Sequence, residues 1–201
     1  MADAEVQRSV RVPPAVRVAG GLVGSGAAAV ASWGGVLLVV QGRVVPGWGV
    51  GAGLLVLACA PAWVRRRATA SRIPRERGTW ERVGRRLLLV VAVLGVAWGA
   101  ADDVLSGAEY HVLRPAGPDG CTAVVRETSF LVIGNGEAYA VGRTGLALGE
   151  SGSWTVDDGY RPVRAGSYEL HWGPDGGRLR ISGTSTDPVL QGGGADIDCG
   201  W

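Results

Sequence analysis

The sequence predicts a membrane protein of two parts, in which three transmembrane helices precede a small disulfide-linked β-sandwich or barrel-like domain outside the cytoplasm. Three observations lead to this prediction. Uncharged stretches fill most of the first half of the chain, arginines are concentrated between two of them, and the second half is polar and rich in turns. The expected division is a cytoplasmic tail at 1–17, a helical membrane region at 18–101 and an extracytoplasmic β domain at 102–201.

Each uncharged stretch can be compared with the roughly 20 apolar residues that a helix needs to cross a bilayer core of about 30 Å. Val18–Gly42 and Val44–Val64 contain no Asp, Glu, Lys or Arg and are long enough. Leu87–Ala101 is shorter but rich in Leu and Val, and Arg86 and Asp102 flank it with charges that suit the two interfaces. We therefore predict three spans.

The arginines determine the expected orientation. Residues 65–86 hold nine Arg against two Glu, whereas residues 102–201 hold seven Arg against fourteen Asp or Glu. Basic loops between spans remain in the cytoplasm, so the N-terminus is expected inside and residues 102–201 outside a cell membrane that the chain crosses several times. The lipid bilayer is thus the first expected partner, and this basic loop is not interpreted as a nucleic-acid site.

Small residues recur at four-residue spacing in each predicted span and would let helix backbones approach closely. The glycines concerned are Gly20, Gly24, Gly47, Gly51, Gly95 and Gly99. Packing among the chain's own helices is the favoured interpretation, and association with copies of the chain or with a membrane-protein partner is the alternative. None of the three stretches contains an ionisable Asp, Glu, His, Lys or Arg that could relay protons or couple ions.

The second half of the sequence shows the patterns of a β domain with roughly six to eight short strands. Gly134-Asn135-Gly136 is a strong hairpin signal between β-rich segments, and Gly173–Gly177 is a second one. Between Ser167 and Trp172, apolar Tyr168, Leu170 and Trp172 alternate with polar residues, which is typical of a strand with one buried face.

Cys121 and Cys199 bracket most of this domain, and outside the cytoplasm they are expected to form a disulfide. Closing so long a loop would contribute roughly 4–5 kcal/mol in the chain-entropy estimate. Cys59 falls inside the second predicted span and is interpreted as a small apolar residue.

The sequence contains no recognisable catalytic motif, which favours a protein that is not an enzyme. His111 and His171 are the only histidines, and packed or surface roles are favoured for both. No cofactor is expected. The acidic residues with oxygens that would suit calcium are Asp157, Asp158, Asp196 and Asp198, for which solvated turn carboxylates are favoured over a metal site. Core packing is likewise favoured over a ligand groove for Trp154, Tyr160, Trp172 and Trp201.

The layout of the chain resembles small multi-span membrane proteins of high-GC Gram-positive (actinobacterial) bacteria that carry a Gly-rich extracytoplasmic β domain. Tyr110–Trp172 carries most of this resemblance, above all through the runs Gly120–Glu127 and Asp157–Pro162. The resemblance implies a location in the cell membrane and brings no activity, cofactor or site residue with it.

Together these features predict a membrane-anchored extracytoplasmic binding or protein-interaction module, such as a subunit of a cell-envelope complex. One alternative is a self-associating channel or transporter subunit, which would need oligomers because three spans are few. The third hypothesis is an extracytoplasmic hydrolase that uses the acidic loops.

Overall fold

The computed structural model describes residues 35–68 and 79–200. Two long helices stand beside eleven strands that form three antiparallel sheets. The helices are α1 (Gly47–Ala68), α2 (Thr79–Leu105) and a single turn, α3 (Pro162–Ala165). The strands are β1 (Val36–Val40), β2 (Arg43–Pro46), β3 (Glu109–Val112), β4 (Thr122–Phe130), β5 (Ile133–Val141), β6 (Leu146–Leu148), β7 (Gly152–Asp157), β8 (Tyr168–Gly173), β9 (Gly176–Ile181), β10 (Val189–Gly192) and β11 (Gly194–Ile197).

The prediction of three transmembrane helices is wrong. Among the described residues, one helix is long and apolar enough to cross a membrane, with its candidate span at Arg86–Leu105, and Gly47–Ala60 forms only a shorter apolar stretch. The end of the first predicted span is strand β1, and the start of the second is strand β2. Residues 18–34 of the first predicted span lie outside the described residues.

The hairpin of β1 and β2 explains this error. Its two strands are rich in Val and Leu, which suit a pleated sheet as well as a membrane helix. Gln41 and Gly42 both adopt positive φ, at 52° and 76°, as the tight hairpin turn between two strands requires. A polar two-residue turn therefore divides what looked like two neighbouring spans.

Helices α1 and α2 pack against each other, and glycines allow their close approach. Gly51 and Gly95 are buried, and a Cβ atom at Gly99 would lie 3.0 Å from the Cβ of Trp48. The contact between Trp48 and Gly99 brings the start of α1 against the last turns of α2. Of the predicted packing glycines, Gly47 also lies in α1, and Gly20 and Gly24 fall outside the described residues.

The central sheet has the strand order β10-β7-β5-β4-β3 and carries a separate core on each face. On one face, Val125, Ala138 and Trp154 pack against Leu179 and Ile197 of the sheet β11-β9-β8. The neighbouring residues along the same strands point to the opposite face and pack against the sheet β2-β1-β6. There, Val124, Tyr139 and Val141 form a core with Leu37 and Ala147. Because β-strand side chains alternate, one sheet can serve both cores.

The β-rich region after Asp102 and its disulfide are confirmed. Cys121 and Cys199 are joined, and the bond connects the start of β4 to the chain beyond β11. The region contains nine strands, slightly more than expected, and β6 pairs with β1, so residues 36–46 contribute two further strands to the β structure.

One predicted hairpin is present and the other is displaced. Strands β8 and β9 meet through Pro174 and Asp175, and the burial of β8 alternates as predicted. The turn expected at Gly134-Asn135-Gly136 instead falls at Leu131-Val132, and all three residues lie inside β5. The glycines serve packing: a Cβ atom at Gly136 would overlap the Trp154 ring, and one at Gly134 would overlap the Tyr160 carbonyl oxygen.

Candidate functional site

An ion-pair cluster joins the end of α2 to the central sheet, and Arg126 of β4 is at its centre. The Nη2 atom of Arg126 lies 2.7 Å from an Asp102 oxygen and 2.8 Å from an Asp103 oxygen. Its Nη1 atom lies 3.4 Å from Glu137 on the neighbouring strand β5. Since the Arg126 side chain is only 16% exposed, three carboxylates compensate a cation that is largely removed from water.

Asp103 connects four elements of the fold. One of its carboxylate oxygens accepts hydrogen bonds from the Trp48 indole N–H at 2.7 Å and from the Tyr110 hydroxyl at 2.9 Å. The other oxygen accepts both Nε and Nη2 of Arg126. Asp103 on α2 thus binds α1, β3 and β4 together at the place where the helices leave the β structure. We call Asp102, Asp103, Tyr110, Arg126, Glu137 and Tyr139 the junction cluster.

Burial and charge shift the titration of three members of this cluster. Burial, reinforced by the Asp103 carboxylate, raises the pKa of Tyr110 well above its usual range. Burial and the Glu137 carboxylate do the same to the pKa of Tyr139, whose hydroxyl donates to Glu137 at 2.6 Å. Burial alone would lower the pKa of Arg126, but its hydrogen bond to Asp103 and the charge of Glu137 outweigh burial and raise it. The cluster therefore holds one permanent cation and two neutral phenols.

A groove of about 780 Å³ opens beside the junction cluster, between α2 and the uncovered part of the central sheet. Its apolar lining residues include Trp98 and Leu105 of α2 and Phe130 of β4. The charged lining residues are Asp102, Arg126, Glu137 and Glu150, and the neutral hydrogen-bonding ones include Thr128, Asn135, Ser153, Thr155 and Gln191. The groove thus combines an apolar surface with polar groups, an arrangement common in sites that fix the orientation of a ligand.

One fully buried carboxylate outside the junction cluster, Glu127, has a structural role. The side chain is 1% exposed, and its two oxygens accept the backbone N–H groups of Val163 and Arg164 at 2.8 and 2.9 Å. The Nε2 atom of His111 lies 3.5 Å from Glu127 and 3.7 Å from Glu109. Glu127 thereby ties the α3 turn to β4. His171, the other histidine, is exposed on β8.

The acidic residues considered for calcium do not assemble into one site. Asp196 pairs with Arg178 at 2.9 Å, and Asp198 accepts the backbone N–H of Gly200. Asp157 accepts the backbone N–H of Asp158 in the loop after β7. Within residues 35–68 and 79–200, no group of three or more His, Cys, Asp or Glu side chains could hold a metal ion.

The aromatic residues considered for a ligand groove are dispersed. Trp154 is buried in the core, although its strand borders the groove described above. Tyr160 exchanges a hydrogen bond with Ser167, and the Trp172 indole donates to the Pro115 carbonyl oxygen at 2.9 Å. Trp201 lies outside the described residues.

Neither the junction cluster nor the groove is predicted from the sequence. The sequence places Asp102 only at a membrane interface, and it predicts no role for Asp103 or Arg126. The available signal is the pair Arg126-Glu127, since two adjacent charges in an otherwise uncharged strand point to opposite faces of the sheet and need partners on both.

No protein-family model, no curated protein and no solved structure matches this chain.

Proposed function

We propose that this protein is a membrane-anchored binding module, with α2 crossing the bilayer, α1 packed beside it, and the β structure outside the cytoplasm. The observation that carries the proposal is the exposure of α2. Its candidate span of 20 residues has a mean hydropathy of 1.9, yet only 11% of the window is buried. A core helix of a water-soluble protein would be mostly buried, and a secretory leader would be near residue 1.

The charges support one orientation of this anchor. In the sequence, nine arginines fall within residues 65–86, around the end of α1 at Ala68 and the start of α2 at Thr79. The other ends of these two helices, Gly47 and Leu105, are the ones that adjoin the β structure. Loops rich in Arg remain in the cytoplasm, so the β structure is expected on the other side. A disulfide between Cys121 and Cys199 agrees, because such bonds persist in oxidising compartments.

We assign the binding role to the groove beside the junction cluster, and its chemistry favours an extended polypeptide of an envelope partner. Hydroxyl and amide side chains such as Thr128, Ser153 and Gln191 can match both the donors and the acceptors of a peptide backbone. Trp98 and Leu105 offer an apolar surface to the side chains of the same segment. The acidic net charge of residues 102–201 favours a partner segment that is neutral or basic.

Membrane extraction and thiol counting test the anchor and its orientation. The full chain should remain in native membranes through an alkaline carbonate wash. After denaturation without reduction, a maleimide polymer should modify one thiol, Cys59, and after reduction it should modify all three cysteines. Release by the wash would refute the anchor, whereas three reactive thiols before reduction would place the β structure in a reducing compartment and refute the orientation.

Photo-crosslinking tests the groove. A benzoylphenylalanine at Thr155, which lines the groove, should give a discrete adduct in native membranes, and the same group at exposed Asp175 on the β8–β9 turn should not. Filling the groove with Gln191→Trp should abolish the Thr155 adduct. Identical adduct patterns from Thr155 and Asp175 would refute a binding role for the groove.

A further inference from the structure

The turn between β4 and β5 is an exposed run of four large apolar residues. Phe130 and Ile133 form the last pair of the hairpin, and Leu131 and Val132 form the turn itself. Their exposed fractions are 60%, 84%, 60% and 46% in chain order. We call Phe130–Ile133 the hairpin tip. Hairpin turns normally carry Gly, Asn or Asp, so this composition is unusual.

The backbone of the tip makes the apolar choice more unusual. Leu131 adopts φ of +56°, a conformation that Gly, Asn and Asp tolerate and that a bulky side chain rarely adopts. A polar residue at this position would suit both the turn geometry and water. A leucine that is 84% exposed suits neither, and this indicates a surrounding other than water.

The tip is continuous with the apolar surface of α2. The Ser129 N–H donates to the Ser106 carbonyl oxygen at 2.9 Å, which attaches the tip to the chain directly after the candidate span ends at Leu105. Beyond Asp102 and Asp103, α2 ends with two exposed apolar residues, Val104 and Leu105, which are 80% and 75% exposed. Leu105 and Phe130 line the same groove, together with Trp98.

We propose that the hairpin tip inserts into the outer interface of the same bilayer that α2 crosses, giving the β structure a second membrane contact. This inference rests on the proposed membrane anchor. A lipid surface is the occupant that fits best, because the tip is an exposed apolar hairpin end that is attached to the chain directly after the candidate span. The N–H of Gly159 binds the Val132 carbonyl oxygen, so Asp157 and Asp158, which directly precede Gly159, lie near the tip. Because their carboxylates would repel anionic headgroups, we expect the contact to be hydrophobic and not electrostatic.

Insertion of the hairpin tip would fix the orientation of the groove relative to the membrane. With α2 and the tip both in the bilayer, the β structure cannot rotate freely about the end of the helix, and the edge of the groove formed by Leu105 and Phe130 faces the headgroups. A partner would then reach the groove along the membrane surface.

Depth-dependent quenching tests the proposal in the full chain. Single cysteines replace Leu131, Leu94 or Asp175 in a Cys59→Ser background, the Cys121–Cys199 bond stays oxidised, and each carries an environment-sensitive fluorophore in phosphatidylcholine vesicles. Leu94→Cys should be quenched by a nitroxide deep in the acyl chains, and Leu131→Cys by a nitroxide near the headgroups. Asp175→Cys should be quenched only by aqueous iodide.

The three labels separate the two possible failures. If Leu94→Cys is quenched by lipid nitroxides and Leu131→Cys behaves like Asp175→Cys, the anchor stands and the tip proposal is refuted. If Leu94→Cys also behaves like Asp175→Cys, the anchor and the tip are refuted together.

A second variant excludes a purely structural role for the apolar turn. Leu131→Asn suits the positive φ and should fold at least as well as the original chain. In that variant, a fluorophore at Val132→Cys should lose several-fold of its headgroup-level quenching relative to Val132→Cys alone. Unchanged quenching would show that the leucine does not hold the tip in the interface and would overturn the proposal.

Discussion

Leucine side chains differ in burial between the β structure and helix α2. Leu179, in β9, is completely buried between sheets, whereas Leu94, at the middle of the α2 span, is 60% exposed. The same contrast holds for valine, since Val125 and Val156 are buried in the sheet and Val90 and Val93 are more than half exposed on the helix. The same residue types, with the same hydropathy, are therefore buried in the β structure and exposed on α2.

The two regions obtain their stability from different sources. The β structure contains its own core, its disulfide and its paired charges, so its apolar groups are removed from water by folding itself. Helix α2 has one packed face, which includes Ala92 and Gly95, and the rest of its surface needs an apolar surrounding. If this comparison is correct, changes in the core of the β structure should alter its unfolding and leave membrane association unchanged, and changes on the exposed face of the α2 span should do the reverse.

The disulfide is expected to give the largest effect. Cys121→Ser together with Cys199→Ser opens a loop that spans 78 positions and should lower the free energy of unfolding of the β structure by about 4–5 kcal/mol. Tryptophan fluorescence during urea unfolding of the full chain in mild detergent would measure this loss. Cys59→Ser, at an exposed thiol, is the control and should change little. Loss of carbonate-resistant membrane association in the double variant would contradict the independence of the two regions.

A charge on the exposed face of α2 should give the next largest effect. Leu94→Arg replaces a residue that favours the bilayer centre with one that opposes it, at a cost of about 3 kcal/mol for insertion. The fraction of protein that resists carbonate extraction would measure the change. Leu190→Arg is the matched control, because Leu190 is a similarly exposed leucine, 58% exposed, on β10. Equal effects of the two substitutions would mean that the bilayer is not the surrounding of α2.

The junction cluster, where the two regions meet, should give a smaller effect. Asp103→Asn removes a negative charge that is 13% exposed and contacts Arg126, Tyr110 and Trp48, so the free energy of unfolding should fall by about 2 kcal/mol. Asp102→Asn removes an equivalent charge that also contacts Arg126 but is 55% exposed, and it should cost about 0.5 kcal/mol. Urea unfolding measures both, and an equal loss in the two variants would argue against burial as the cause.

The parts of the fold that could be predicted from the sequence are those with a local cause. The β8–β9 hairpin was predicted because the alternation of Tyr168, Leu170 and Trp172 and the turn at Pro174-Asp175 are both short-range patterns. The disulfide was predicted because the β region holds only two cysteines. Neither inference required knowledge of what packs against these residues.

The other features of the fold depend on tertiary packing, and their sequence patterns fit more than one structure. An apolar run such as Val36–Val40 suits a strand or a membrane helix, and the number of strands available to pair with it decides the outcome. The glycines of Gly134-Asn135-Gly136 look like a turn because their real function, clearance for Trp154 and Tyr160, lies in other elements. The contacts of Arg126 with Asp102 and Asp103 join positions more than 20 residues apart, so the candidate site could not be predicted from spacing.

The smallest expected effect is a pH dependence confined to the junction cluster. The folded protein raises the pKa of both Tyr110 and Tyr139 above the usual value of about 10, so folding favours their neutral forms. That contribution to stability is complete below about pH 10, and it is lost as the pH rises above 10 because the unfolded chain then releases these protons more readily than the folded one.

Tyr139→Phe removes one of the two groups and should flatten the alkaline decline in unfolding free energy while costing one hydrogen bond at lower pH. Tyrosinate absorbance followed together with tryptophan fluorescence would show the two phenols ionising only as the β structure unfolds. Complete ionisation of all four tyrosines near pH 10, with the native fluorescence retained, would mean that the phenols of the cluster are open to water and that the helices and the sheet meet less tightly than the contacts of Asp103 indicate.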